Sequence, residues 1–120
     1  MAGNRKTITR VGITGAAGNI GKTLTEGLAD EYDLTLLYHH REVEQGYRQK
    51  FKIVKADLSQ AKEIEGIFEG LDAIIHLAAA SSHASPWESV LTNNIVTTYN
   101  IFEEARRAGV SRVVFASTNH

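Results

Sequence analysis

Three glycines set three apart, Gly15, Gly18 and Gly21, lie in the stretch Val11-Gly12-Ile13-Thr14-Gly15-Ala16-Ala17-Gly18-Asn19-Ile20-Gly21. Between a strand and an amphipathic helix, that spacing can hold a pyrophosphate. Gly15 permits the tight turn out of the strand, Gly18 lets the backbone approach the phosphates with no Cβ in the way, and Gly21 lets the helix pack closely on the sheet. The helix amino terminus adds unpaired N–H groups and the positive end of its dipole. A glycine-rich turn with no ligand is the plain alternative. Strand, helix and a following βα pattern in register favour nucleotide binding over it. A mononucleotide P-loop fits less well: Gly21-Lys22-Thr23 matches its triplet, but its first glycine would fall on residue 16, which is Ala16.

Other reactive side chains form no such constellation. His39 and His40 are adjacent, so on a strand they point to opposite faces and cannot share a metal. With His76, His83 and His120 scattered and no cysteine in the chain, no metal site is expected. Glu103-Glu104 and Arg106-Arg107 read as a solvated, salt-bridged helix face, and Trp87 as packing near a helix start.

The elements that must position the loop follow from hydrophobic period. Apolar runs alternate with segments of helical spacing, the pattern of βαβ units and a parallel sheet. Strands are predicted at Arg10 to Thr14, Leu34 to Tyr38, Phe51 to Val54, Ala73 to Leu77 and Ser111 to Ala116. A helix is predicted over Asn19 to Asp30, with Ile20, Leu24 and Leu28 as its buried stripe. His39 to Lys50 reads as loop or short helix. Ser59 to Phe68 reads as a helix capped by Ser59, with Ile64, Ile67 and Phe68 facing inward. The longest helix starts at Ser85-Pro86-Trp87-Glu88, a capping-box spacing with proline at the first helical position. It runs to Ala108 with a possible break near Asn93, buries Leu91, Asn94/Ile95, Thr98, Ile101/Phe102 and Ala105, and stops at Gly109. The fold class expected is α/β: a doubly wound parallel sheet in the order 3-2-1-4-5, helices on both faces, joined by right-handed crossovers.

Length and composition agree with one soluble domain. The chain has 120 residues, 42% hydrophobic and 22% charged, with a formal net charge of −1. That charge gives no reason to expect nucleic acid or an anionic membrane as partner. The polar amino terminus shows neither signal peptide nor membrane span, which makes a cytoplasmic location the expectation.

Thr14 to Gly21, TGAAGNIG, resembles the dinucleotide fingerprint of the extended short-chain dehydrogenases/reductases, the NAD-dependent epimerase/dehydratase family. Four further motifs in family order extend the resemblance along nearly the whole chain: Ala56-Asp57-Leu58, His76-Leu77-Ala78-Ala79, Asn94-Ile95 with Thr98-Tyr99-Asn100, and Val113-Val114-Phe115-Ala116-Ser117-Thr118. The third carries Thr97 where the family has glycine. The resemblance implies a Rossmann-type NAD(P)-binding domain over 1–120. Its cofactor contacts would be Gly15, Ala17, Gly18, Asn19, Ile20, Gly21, His39, Arg41, Asp57, Leu58, Leu77, Ala78 and Ala79, with the Asp57 carboxylate accepting from the adenine amino group. Thr118 would be the catalytic hydroxyl. The closing Ser117-Thr118-Asn119-His120 looks most like uronate and related sugar dehydrogenases, which implies Ser81, Asn119 and His120 as substrate contacts.

Two departures qualify that picture. The family's proton shuttle is a Tyr-x-x-x-Lys on the helix after the fifth strand. None of Tyr32, Tyr38, Tyr47 and Tyr99 has a lysine four residues on. Without that pair, whose lysine lowers the tyrosine's pKa, no useful turnover is expected from these residues alone. Family members are also longer, so the chain reads as cut after its fifth strand, ahead of a substrate domain. Secondly, the end of strand two holds Tyr38-His39-His40-Arg41 where an acid would hold the ribose hydroxyls of NAD. Arg41 could pair a 2′-phosphate, which favours NADP, whereas the sugar-dehydrogenase likeness favours NAD. The expectation is NAD or NADP, with NAD preferred. The expected function is the cofactor-binding part of an oxidoreductase moving hydride to or from a sugar or sugar acid. Its partners would be the dinucleotide, a small sugar-type substrate supplied with the missing half, and a second copy of the chain. An epimerase/dehydratase fragment and a non-catalytic dinucleotide-binding module are the alternatives.

Overall fold

The computed structural model describes residues 7–39, 43, 45–78 and 87–117. Five strands form one sheet: β1 (Arg10–Thr14), β2 (Asp33–Tyr38), β3 (Lys52–Lys55), β4 (Ala73–Ala78) and β5 (Arg112–Ser117). Their order is β3-β2-β1-β4-β5 and every neighbouring pair is parallel. The expected topology is therefore present, with strand ends moved by a residue at β2, β3, β4 and β5. Central strands covered on both sides need continuous apolar runs. Val11 to Thr14 and Leu34 to Leu37 are accordingly buried throughout.

The helices are α1 (Asn19–Leu28), the short α2 (Tyr47–Lys50) and α3 (Trp87–Ala108). One face of the sheet packs Val11, Ile13, Leu34, Leu36 and Leu77 against Leu24 and Leu28 of α1 and Tyr47 of α2. The other packs Leu37 and Ile74 against Ile101 and Ala105 of α3, with Phe68 and Leu71 filling the gap. Alternation of side chains along each strand assigns successive residues to these two cores. On α1 the inward positions nearest the sheet are Gly21 and Thr25, whose hydroxyl donates to the Gly21 carbonyl at 2.7 Å. Ile20, expected in the buried stripe, is 45% exposed at the rim of the sheet.

Two expectations fail here for identifiable reasons. Ser59 to Phe68 is not a helix but a succession of three-residue-spaced turns, with Glu63 N–H on Gln60 O and Ile67 N–H on Ile64 O. Gly66 has φ +78, outside the right-handed helical region. Its N–H donates to Glu104 Oε2 on α3 at 2.7 Å instead of to a preceding carbonyl. The inward pattern survives without the helix: Ile64 and Phe68 are fully buried. Nor does Ser59 cap anything; its N–H and Oγ both donate to Asp57 Oδ1, at 3.0 and 2.7 Å.

α3 runs unbroken through Asn93. It ends in a Schellman arrangement, with Val110 N–H on Ala105 O and Gly109 N–H on Arg106 O. Of the expected stripe, Ile101 and Ala105 are buried, while Ile95 and Phe102 are 61% and 50% exposed and the Leu91 side chain lies outside what is described; Asn100 and Glu104 face inward instead. Polar Asn100 and Glu104 are drawn in because the β3–β4 connection, lacking a helix, leaves backbone groups for them to satisfy.

Candidate functional site

The exit of β1 builds a cradle. Gly15 turns at φ +68 directly against β4, where a Cβ would stand 2.8 Å from the Leu77 carbonyl oxygen. Gly18 N–H closes the turn on Gly15 O at 3.2 Å, and the Lys22 N–H on Gly18 O starts α1. No side chain caps the α1 amino terminus and no acid lies in its first turn. Among the described residues no acceptor meets the N–H groups of Asn19, Ile20 or Gly21. These orphan donors and the dipole behind them favour an anion. At Gly18 a Cβ would find only Gly15 O within 4 Å, at 3.7 Å, so the space above that residue is open. At Gly21 the same atom would stand 2.6 Å from Ala16 Cα, Ala16 O and Gly15 O. The loop is thus filled beneath Gly21 and vacant above Gly18, which fits a pyrophosphate.

A groove of about 220 Å³ opens beside the cradle at the carboxyl ends of β1, β2 and β4. Thr14 and Gly15 form one end and His76 and Leu77 its floor, with Tyr38 and His39 at the end of β2. Ala56, Asp57, Leu58 and Ser59 supply the β3 side and Asn94 and Thr97 the α3 side. This is the switch point of the sheet, where β1 is followed outward by β2 on one side and β4 on the other. The volume is below that of a pocket enclosing a whole drug-sized ligand, so it suits part of a dinucleotide lying along the strand ends.

Two side-chain pairs order the groove. His39 Nε2 lies 3.7 Å from Asp57 Oδ2, while Asp57 Oδ1 holds the Ser59 turn. Buried Thr14 Oγ1 lies 2.6 Å from His76 Nδ1 and also accepts the Leu77 N–H at 3.2 Å. Burial lowers the His76 pKa below its ordinary value, so the ring is neutral at neutral pH. Asn100 Nδ2 donates to Leu58 O at 3.0 Å and fixes the β3 exit to α3.

Of the residues expected to hold cofactor, Gly15, His39, Asp57, Leu58 and Leu77 meet in this groove. Ala17, Gly18, Asn19, Ile20 and Gly21 form the adjoining cradle, and Ala78 ends β4. Arg41, Ala79, Ser81, Thr118, Asn119 and His120 lie outside the described residues, as does the Ser85-Pro86 start of the long helix. Sequence reasoning named no contact at Thr14, Tyr38, Ser59, His76, Asn94 or Thr97, although Thr14, His76 and Asn94 stood within the motifs that carry the family resemblance. Thr14 and His76 are 62 positions apart, and only the pairing of β1 with β4 makes them neighbours.

Comparison with known proteins agrees with this geometry. Residues 11–120 match the family model described as NAD dependent epimerase/dehydratase family. L-arabinose 1-dehydrogenase (NAD(P)(+)) of Haloferax volcanii is 39% identical over 94% of this chain and 42% of its own length. Uronate dehydrogenase of Pseudomonas syringae pv. tomato is 37% identical over 92% of the chain and 40% of its own length. The crystal structure of uronate dehydrogenase from Agrobacterium tumefaciens superposes with a TM-score of 0.76 at 35% identity, covering 93% of this chain and 41% of that one. A mutant of that enzyme complexed with NAD also superposes with a TM-score of 0.76. The chain thus spans about two-fifths of the length of these relatives. The order of the strands, the open cradle at the first turn and a match from Val11 to His120 place the chain in the NAD-dependent epimerase/dehydratase family.

Proposed function

We propose that the chain is the cofactor-binding portion of an oxidoreductase that exchanges a hydride between a nicotinamide dinucleotide and a sugar or sugar acid. The observation that carries this reading is the uncapped first turn of α1 facing open space at Gly18, at the switch point of a parallel sheet. The loop from Gly15 to Gly21 holds the pyrophosphate through its N–H groups. Asp57 accepts from the adenine amino group, flanked by Leu58, and His39 and Arg41 are cofactor contacts at the ribose. Leu77, Ala78 and Ala79 are cofactor contacts. When bound, the nicotinamide ring supplies the hydride acceptor or donor. Thr118 provides the catalytic hydroxyl, with Ser81, Asn119 and His120 on the substrate.

The sugar-type substrate is inferred from relatives named for L-arabinose and uronate dehydrogenation. The 120 residues contain no Tyr-x-x-x-Lys, so turnover needs a proton shuttle from outside them. A cytoplasmic setting and self-association of the chain go with this reading. No helix among the described residues is long and apolar enough to cross a membrane.

Titration with NADH and NADPH, followed by nucleotide fluorescence, is the direct test. Saturable binding of either cofactor is expected, with NAD(H) preferred. Failure of both to bind removes the dinucleotide reading. Reduced cofactor formed from aldoses or uronates once a proton shuttle is supplied would separate a dehydrogenase from an epimerase.

A further inference from the structure

The Thr14–His76 pair joins the start of the phosphate loop to the neighbouring strand. Thr14 and His76 are register partners across β1 and β4, and their side chains point to the same face. Thr14 is fully buried and His76 nearly so. The hydroxyl accepts the Leu77 N–H, and one residue further on Gly15 turns against the Leu77 carbonyl. On its other side the His76 ring meets the Phe115 edge at 5.4 Å, and Phe115 rests on Phe102 of α3 at 5.0 Å. The imidazole is therefore held between β1 and β5, with Phe102 of α3 backing Phe115.

The hydrogen bonds decide its tautomer. Were Nδ1 to carry the proton and donate to Thr14 Oγ1, the Thr14 hydroxyl proton would be buried with no acceptor among the described residues. A buried unsatisfied donor is costly. The Thr14 O–H therefore donates to Nδ1, and Nε2 bears the ring proton in a side chain that lines the groove.

We propose that His76 is a positioning residue of the dinucleotide site: its neutral imidazole accepts the Thr14 hydroxyl and so holds the turn at Gly15 in the shape that receives the pyrophosphate. This rests on the reading of the groove as a dinucleotide site. Protonation of Nδ1 turns it into a donor to Thr14 Oγ1 and leaves the buried Thr14 hydroxyl proton without its acceptor, which strains the anchor of the turn. Thr14 on β1, Phe115 on β5 and Phe102, Asn94 and Thr97 on α3 bring no charge to the ring. Among the described residues the titratable groups across the groove are Tyr38, His39 and Asp57, the last two lying against each other.

The test uses the 120-residue chain and NADH as probe. Nitrogen NMR of the imidazole at about pH 8 should show Nδ1 bare and Nε2 protonated. As pH falls below the ordinary histidine range and the His76 ring takes up its proton, the backbone amides of Gly15 and Ala16 should shift with that titration, and NADH should bind roughly tenfold more weakly. His76→Asn can place Oδ1 where Nδ1 stood. It should rescue binding at about pH 8 to within roughly threefold of the wild type and remove the amide titration. Thr14→Val, which keeps the shape and removes the hydroxyl, should weaken binding roughly tenfold. A protonated Nδ1 at high pH, or loop amides indifferent to His76 titration, would overturn the positioning role while leaving the dinucleotide reading intact. Absence of NADH binding at about pH 8 would instead overturn the dinucleotide reading, and with it the role in binding.

Discussion

Replacing Gly21 with alanine separates loop packing from ligand binding. The new Cβ would stand 2.6 Å from three backbone atoms of Gly15 and Ala16, about 0.8 Å short of ordinary contact, which begins at 3.4 Å. Adding a methyl group to a filled interior costs ~1–3 kcal/mol. All three clashing atoms are backbone and none can rotate away, so the upper end applies. Alanine's higher helix propensity offsets ~1 kcal/mol, leaving a net loss of about 2 kcal/mol. For a chain of this size that lowers Tm by roughly 8 °C. Gly18→Ala is the contrasting case, since its Cβ meets one atom at 3.7 Å and its φ of −80 suits any residue. Loss of a favoured N-cap glycine and stiffening of the unfolded chain, each about 0.5–1 kcal/mol, oppose one another there. Its Tm should therefore move by less than about 4 °C. Gly18→Val puts branched bulk into the space assigned to the pyrophosphate and should weaken NADH at least ~tenfold, about 1.4 kcal/mol. Circular dichroism melts and NADH fluorescence titrations on all three variants decide the matter. A wild-type Tm for Gly21→Ala would refute the packing argument, and unchanged affinity for Gly18→Val would refute the phosphate assignment.

Asp57→Ala should lose ~1.5–3 kcal/mol of NADH affinity and also some stability, because Ser59 loses its acceptor. Asp57→Asn keeps that acceptor, so weaker binding at unchanged Tm would isolate the carboxylate's role; equal binding by both would reduce Asp57 to a turn residue. Gly66→Ala should cost ~1–2 kcal/mol in urea denaturation, since an L side chain at φ +78 is strained although its Cβ has room. His76 is depressed below its ordinary pKa by burial, so the unfolded chain takes up that proton first. Its contribution to stability is level above about pH 6.5 and falls as pH drops below that value; a wild type and a His76→Asn variant with parallel urea midpoints from about pH 8 to about pH 5.5 would contradict this. Ile95, Tyr99, Phe102 and Phe115 form an exposed apolar surface on α3 and β5, so light scattering should give a mass that rises with concentration, and Phe102→Glu should suppress the rise.

Much of the fold was legible in the chain because periodicity reports burial directly. Runs such as Leu34-Thr35-Leu36-Leu37 must be covered on both faces, and alternation of such runs with helical segments restricts the sheet to parallel pairing with right-handed crossovers. The glycine loop was legible for the same reason: its residues are close in sequence, and backbone sterics at Gly15 and Gly21 act locally. Patterns that depend on a distant partner were not. The period of Ser59 to Phe68 is helical, yet Gly66 adopts φ +78 and gives its N–H to Glu104, 38 residues away. The α3 stripe was misjudged because apolar residues were assumed to face inward. Asn100 and Glu104 displace Ile95 and Phe102 by satisfying Leu58 O and Gly66 N–H, and an unmet buried backbone group costs more than an exposed apolar side chain. Asp57 was recognised as a groove carboxylate, but its hold on Ser59 and its approach to His39 depend on β3 lying beside β2. The Thr14–His76 bond belongs to the same class. Each residue alone reads as an ordinary strand position, and only the register of β1 on β4 brings hydroxyl and imidazole together where water cannot compete for either.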